Sequence, residues 1–106
     1  MTHEISRERF EELLRSEKPL LVEYHAPWCG YCRRLEPAFT RVAQEYGDVL
    51  TVAKIDIDKE PALSDEEHIE VVPTLVLYRS GRSIGSTVAP GSAGEIRRFL
   101  DEALAR

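Results

Sequence analysis

The 106-residue sequence has little of several residue types, and each shortage narrows what the protein can be. It contains two cysteines, one tryptophan and one methionine. Two cysteines cannot form the disulfide framework that holds small secreted domains together. The longest basic cluster is the pair Arg33-Arg34, and the net charge is −5. Because nucleic-acid binding needs a basic face, we expect no nucleic-acid partner.

Long hydrophobic runs are also missing. No apolar stretch approaches the ~20 residues that a membrane-spanning helix needs. No charged and then apolar leader opens the chain, because apolar residues first cluster at residues 19–22 (PLLV). We therefore expect no membrane partner and a cytoplasmic protein, although an exported protein with its leader trimmed would look the same. The length predicts a single domain over residues 1–106, and we expect a monomer.

The apolar residues alternate between helix-like and strand-like patterns. Ser6 is a candidate N-cap for a first helix that ends by residue 19. The segment Leu20–His25 then has the composition of a buried strand. A second helix is expected from Cys29 to about residue 46, with a kink at Pro37 and Gly47 as a left-handed cap.

The second half of the sequence predicts strands at residues 49–57 and 74–78 around a short helix at residues 61–67. A tight turn at Ser80-Gly81 leads to a hairpin strand at residues 83–88. Ser92, with Glu95 three residues later, is the expected cap of the last helix. This order predicts an α/β fold with a central mixed β-sheet of four to five strands and helices on both faces.

Both cysteines lie in one short stretch, APWCGYC, where the first strand gives way to a helix. Cys29 is expected at the helix N-terminus, where free backbone N–H groups and the helix dipole stabilise a thiolate. Cys32 lies three residues later on the same helix face, so the two sulfurs can meet. Cys29 can attack a substrate disulfide, and Cys32 can then resolve the mixed disulfide.

A CxxC motif also occurs outside redox sites. It can be half of a zinc site, or an inert pair of small buried residues. A structural zinc site needs four ligands, and the three histidines, His3, His25 and His68, lack the usual ligand spacing. His25 is better interpreted as a half-buried packing residue than as a titrating charge beside Cys29. We therefore expect no metal and no cofactor other than the redox-active disulfide.

Over residues 3–105 the sequence resembles the thioredoxin family. The motifs that carry the resemblance are LVEYHAPWCGYC, Pro37 five residues after the second cysteine, VAKIDID, VVPT and the turn at Gly81. The resemblance implies the thioredoxin fold and a protein-disulfide reductase that works by dithiol–disulfide exchange. It also implies disulfide-containing protein substrates and an electron donor such as a thioredoxin reductase.

The resemblance further assigns the substrate-binding residues. Pro73 should be a cis proline that faces the CxxC, and the Val72 backbone should pair with the substrate peptide as an added strand. Trp28 should offer an exposed apolar surface, and Gly30 and Tyr31 are the inner residues of the motif. Without the resemblance, Pro73 would be an edge or bulge proline and Trp28 could be ordinary core packing.

Glu23 interrupts an otherwise buried strand, six residues before Cys29. Burial should raise the pKa of its carboxyl group. The family has an acid at this position that exchanges protons with the second cysteine, so the resemblance makes Glu23 the general base for Cys32. It also matches Lys54 to a lysine that approaches this acid. The alternative for both residues is a position at an exposed strand end.

Two departures from the family pattern leave alternatives open. Tyr31 replaces the usual proline, which restores a backbone N–H near the Cys29 sulfur and predicts a reduction potential modestly above that of thioredoxin. In the segment Ala89-Pro90-Gly91, Ala89 stands where the family usually has a glycine on the groove rim, and Gly91 stands where it usually has an isoleucine- or leucine-type residue, so the preference for substrate or reductase is left open.

The CGYC motif itself resembles that of bacterial periplasmic disulfide isomerases. The alternatives to a reductase are therefore an isomerase or oxidase of an oxidising compartment, and a non-catalytic binding module that uses the groove of Trp28, Val72 and Pro73.

Overall fold

The computed structural model describes residues 3–106. Its elements are, in chain order, α1 (Arg7–Leu14), β1 (Leu20–His25), α2 (Gly30–Glu45), β2 (Thr51–Asp56), α3 (Pro61–Glu66), β3 (Thr74–Arg79), β4 (Arg82–Val88) and α4 (Ala93–Leu104). The strands form one sheet in the order β2-β1-β3-β4. β1 pairs with β2 in parallel and with β3 antiparallel, and β3 pairs antiparallel with β4. The predicted mixed sheet is confirmed.

The sheet separates two hydrophobic cores. One core packs Leu21, Leu75 and Leu77 against α2 and α4. The other packs Val22 and Tyr24 on the opposite face, with Phe10 of α1 and Leu63 of α3. Helices therefore cover both faces, as predicted.

Every residue of β1 is buried. Because side chains alternate along a strand, Glu23 and His25 lie on the same face as Leu21, beneath α2.

The helix caps follow the sequence closely. The Ser6 hydroxyl accepts a hydrogen bond from the Arg9 amide at 3.3 Å, and the Ser92 hydroxyl accepts one from Glu95 at 3.1 Å. Pro37 lies inside α2, which continues unbroken past it. At the hairpin turn, Ser80 and Gly81 both have positive φ angles, 55° and 82°. Two positive φ angles are what a type I′ turn requires, and glycine supplies one without steric cost.

The predictions for Gly47 and for the start of the next strand were wrong. α2 ends with Tyr46 as its C-cap, and among the described residues the positive φ angles fall elsewhere, at His68, Ser80, Gly81 and Ala89. The amides of Val49 and Leu50 both donate to the Tyr46 carbonyl, at 2.8 and 2.9 Å. The chain therefore leaves the helix through right-handed turns, which need no left-handed residue. These turns take up the first residues of the predicted strand, so β2 begins at Thr51.

A polar chain crosses the second core. The hydroxyl groups of Tyr24 and Tyr78 lie 2.7 Å apart, and Tyr78 donates to the Glu67 carboxylate at 2.7 Å. Tyr78 has a single hydroxyl proton, so Tyr24 must donate to Tyr78. Tyr24 is fully buried, and Tyr78 is its only hydrogen-bond partner among the described side chains.

Replacing Tyr78 by phenylalanine should lower the free energy of unfolding by about 1–3 kcal/mol, because the buried Tyr24 hydroxyl loses its acceptor. Urea denaturation followed by circular dichroism measures this loss. Tyr46→Phe is the matched control, since the Tyr46 hydroxyl donates to Asp101 at 2.6 Å on the surface, where water can replace it. An equal loss in the two variants would contradict a structural role for the buried chain.

Candidate active site

The two cysteines meet where β1 passes into α2. Cys29 is the N-cap of α2, and its sulfur accepts a hydrogen bond from the Cys32 amide at 3.1 Å. Cys29 and Cys32 form a disulfide, with Cα atoms 5.3 Å apart. Gly30 is the first residue of the helix between them. The predicted placement of Cys29 at the helix N-terminus, where an anion is stabilised, is confirmed.

The loop before β3 faces the disulfide. The Val72–Pro73 peptide bond is cis, as the resemblance implied. The Val72 carbonyl oxygen lies 3.9 Å from the Cys29 sulfur, and the Val72 side chain packs against a small cluster of Ala26, Cys29 and Cys32. The Val72 main chain therefore lies directly beside the sulfur that a substrate disulfide would meet.

Trp28 lies on the surface next to the disulfide. Its side chain is 65 % exposed, so the alternative of ordinary core packing is wrong. The indole Nε1 donates to the Asp58 carboxylate at 3.0 Å, and the Asp58 amide in turn donates to Asp56 at 2.8 Å. These contacts hold the ring in place while leaving its face open. Sequence reasoning missed Asp58, and no local pattern could have indicated it, because it reaches Trp28 across 30 positions of the chain.

Tyr31 connects the active-site helix to the loop between β4 and α4. Its hydroxyl lies 2.9 Å from the Ala89 carbonyl oxygen and 3.0 Å from that of Pro90. The Ala89 amide donates to the Pro73 carbonyl at 2.9 Å. Ala89 has a φ of 46°, which a glycine would adopt with less strain. The two residues that depart from the family pattern, Tyr31 and Ala89, are thus in contact with each other. Within residues 3–106, the amide that donates to the Cys29 sulfur is that of Cys32, so the structure does not give the Tyr31 amide the role that was expected of it there.

Glu23 lies beneath the active-site helix with no exposed surface. Neither carboxyl oxygen has a hydrogen-bond partner among residues 3–106. Burial raises the pKa of Glu23 from 4.5 to about 7; the charge of Lys54 opposes the rise and that of Glu36 adds to it. The alternative of an exposed strand end is therefore wrong. A carboxyl group with a pKa near neutrality can both accept and release a proton under ordinary conditions.

Lys54 is the register partner of Glu23 across the parallel pair β1–β2. Its ammonium group, however, forms an ion pair with Glu36 at 2.7 Å, and the side chain is only 16 % exposed. The sequence prediction missed Glu36. Its position was the available signal, because it lies four residues after Cys32, which places both side chains on one face of a helix.

His25 occupies the next position on the same face of β1 as Glu23. It is buried, and its Nε2 lies 3.3 Å from a Glu4 carboxylate oxygen. Burial, with a smaller contribution from Lys54, lowers the pKa of His25, so the imidazole is neutral near pH 7. His25 adds no positive charge beside Cys29, which agrees with its interpretation as a packing residue, although it is more buried than expected.

A cleft of about 320 Å³ opens beside Cys32. Its lining residues are His25, Ala26, Pro27, Cys32, Arg33, Glu36 and Lys54. The inner cysteine therefore borders a space that holds the ion pair of Glu36 and Lys54. Within residues 3–106, no group of three or more histidine, cysteine, aspartate or glutamate side chains is arranged to hold a metal ion. None of the helices in that range is long and apolar enough to cross a membrane.

Comparison with known proteins identifies the family. The family model for thioredoxin matches residues 1–102. The chain is 38 % identical over 101 residues to a thioredoxin of Acidithiobacillus ferridurans, covering 94 % of each protein. It is 33 % identical over 94 residues to thioredoxin 1 of Synechococcus elongatus, covering 89 % of this chain and 88 % of that one. It is also 37 % identical over 93 residues to a bifunctional thioredoxin reductase/thioredoxin of Mycobacterium leprae, covering 87 % of this chain and 20 % of that protein.

The raised pKa of Glu23 makes stability depend on pH. The folded protein holds the Glu23 proton up to about pH 7, whereas the unfolded chain releases it near pH 4.5. Stability should therefore fall as pH rises from about 4.5 through 7, and Glu23→Gln should abolish this fall, which is worth about 3 kcal/mol. Urea denaturation of both proteins between pH 4.5 and 8 measures the difference.

The control for this measurement is Glu45→Gln. Glu45 is an exposed acid on α2 whose pKa is lowered by its hydrogen bonds to Arg97. Because these hydrogen bonds favour the ionised form of Glu45, its removal should not abolish a fall in stability with rising pH. If Glu23→Gln shifted stability by the same amount at pH 5 and pH 8, the buried carboxyl would not titrate as described.

Proposed function

The chain belongs to the thioredoxin family and is a protein thiol-disulfide oxidoreductase, and from this premise we propose how its residues divide the reaction. Cys29 is the nucleophile, Cys32 the resolving cysteine and Glu23 the proton acceptor and donor for Cys32. The observation that carries the proposal is the position of Cys29. It caps α2, accepts an amide hydrogen bond and faces Val72 and the cis proline.

In the first step the Cys29 thiolate attacks one sulfur of a substrate disulfide. A mixed disulfide forms, and the other substrate sulfur leaves as a thiolate that takes up a proton. The helix N-terminus and the Cys32 amide stabilise the attacking anion. The substrate peptide pairs with the Val72 main chain beside Pro73, as in strand addition. Trp28 provides an open apolar surface next to this groove.

In the second step Cys32 loses its proton and attacks the Cys29 sulfur. The Cys29–Cys32 disulfide forms, and the second substrate sulfur leaves as a thiolate that takes up a proton. Cys32 is 4 % exposed, so bulk water has little access to its sulfur, and a nearby base is needed. Glu23, with a pKa near 7, is suited to accept this proton.

Continued turnover needs a two-electron donor that reduces the disulfide. We infer that this donor is a thioredoxin reductase, supported by the relative whose printed name combines a thioredoxin reductase with a thioredoxin. Residues 1–106 act as one domain and one monomer, and the place of action is the cytoplasm.

Substrate preference is set by the groove rim, where the Tyr31 hydroxyl fixes the carbonyl groups of Ala89 and Pro90.

The division of roles predicts opposite behaviour of two serine variants. Cys32→Ser should accumulate a mixed disulfide with an oxidised protein substrate such as insulin, because the resolving sulfur is missing. Cys29→Ser should form none and should lose disulfide reduction by at least about a thousandfold. Non-reducing electrophoresis with mass spectrometry detects the adduct. Accumulation of the adduct in Cys29→Ser instead would reverse the assignment, and retained function in that variant would favour the binding module.

The redox potential distinguishes the reductase from the isomerase or oxidase. We expect a value modestly above the ~ −270 mV of thioredoxin. Equilibration with glutathione buffers, followed by the fluorescence of Trp28, measures it. A value near ~ −180 mV or higher, the range of isomerases and oxidases, would contradict the reductase proposal. Tyr31→Pro places the usual proline of the family at this position, and it should lower the potential toward that of thioredoxin.

A further inference from the structure

The buried acid and its neighbouring lysine do not form an ion pair. Glu23 and Lys54 are directly paired in register on adjacent parallel strands, about 5 Å apart, on the face covered by α2. A lysine side chain spans such a distance easily. Yet the Lys54 ammonium lies 2.7 Å from Glu36, and no side chain or main-chain group in the described part of the chain forms a hydrogen bond with either Glu23 oxygen.

We propose that Glu36 is a positioning residue that holds the Lys54 ammonium on the cleft side and so keeps it from pairing with the buried Glu23 carboxyl. Glu36 comes from α2, one turn after Cys32, and both residues line the same cleft with Lys54. The helix that carries the resolving cysteine thus also carries the group that occupies the lysine. The proposal rests on the function of Glu23 as proton acceptor for Cys32.

The consequence for the reaction follows from charge. An ammonium group paired with Glu23 would stabilise its carboxylate and make it a weaker base. With Lys54 engaged by Glu36, the pKa of Glu23 stays at about 7. Glu36 is itself negative and repels a charge on Glu23, so it acts in the same direction by a second, direct route. The experiment must separate these two routes.

Other charged groups surround the site and stay constant in the comparison. β1 contributes His25, which is neutral near pH 7. β3 places the apolar Leu75 opposite Glu23. Among the described residues, the other charged neighbours are Glu4, Arg33 and Asp56, and Cys32 is held in the disulfide. None of these is altered by the variants used in the test.

The test is a double-mutant cycle on Glu36 and Lys54, read out by the titration of Glu23. The oxidised protein is labelled with carbon-13 at glutamate side chains, and the Glu23 carboxyl signal is assigned by its loss in Glu23→Gln. Its midpoint is then measured in wild type, Glu36→Gln, Lys54→Met and the double variant. Glu36→Gln should lower the midpoint by about one pH unit, because the released ammonium can pair with Glu23.

The Lys54→Met background separates the effect of the released ammonium from direct repulsion by Glu36. In Lys54→Met no ammonium is present, so Glu36→Gln should lower the Glu23 midpoint far less than in wild type. A downward shift of equal size in both backgrounds would show that Glu36 acts only by direct repulsion and would overturn the proposal. An unchanged midpoint in Glu36→Gln alone would overturn it as well.

Two further measurements complete the test. Glu45→Gln removes another paired acid from α2, far from the cleft, and should leave the Glu23 midpoint unchanged. The pH dependence of disulfide reduction, measured for Glu36→Gln, should shift to lower pH together with the Glu23 midpoint. If the midpoint moves and the reaction profile does not, Glu36 positions Lys54 as proposed, and it is the role of Glu23 as proton acceptor that fails.

Discussion

The complete burial of β1 is the constraint on which the rest of the structure depends. All six of its residues are buried, because the strand lies inside the sheet with a hydrophobic core on each face. Four of the six side chains are apolar or, for Tyr24, hydrogen-bonded to Tyr78, and the fifth, His25, lies 3.3 Å from a Glu4 carboxylate oxygen. The sixth, Glu23, carries a carboxyl group into a region where the residues that the structure describes offer neither oxygen a hydrogen-bond partner. The raised pKa is a direct result of this position.

The same strand ends shortly before the active-site cysteines. β1 delivers the chain to Cys29, which caps α2, and α2 then carries Cys32 and Glu36 back over the face where Glu23 lies. The outer part of the site is fixed by different contacts. Tyr31 bonds the first turn of α2 to the rim loop at Ala89, and that loop bonds to Pro73. One side-chain and one main-chain hydrogen bond therefore join the three segments that surround the disulfide.

Sequence reasoning recovered the fold and the reactive pair because both depend on local patterns. Apolar periodicity places the helices and strands, and the three-residue spacing of the cysteines brings their sulfurs together. It failed at Gly47, where the turn after α2 continues right-handed. It also missed the pairs Glu36–Lys54 and Trp28–Asp58, and the bond of Tyr31 to Ala89. These join residues 18 to 58 positions apart, so only the folded chain shows which partner a charged or polar side chain selects.

A stability-optimised sequence would place a leucine or valine at position 23, since the ionised carboxyl costs about 3 kcal/mol of folding free energy above pH 7. Pairing with Lys54 would recover part of that cost and would also reduce the basicity of Glu23. The Lys54 ammonium pairs with Glu36 instead, and Glu23 has no hydrogen-bond partner within residues 3–106. The arrangement around Glu23 therefore keeps the pKa of its carboxyl group high at the expense of the stability of the folded protein. The two hydrophobic cores on either side of β1 supply the folding free energy that offsets this loss.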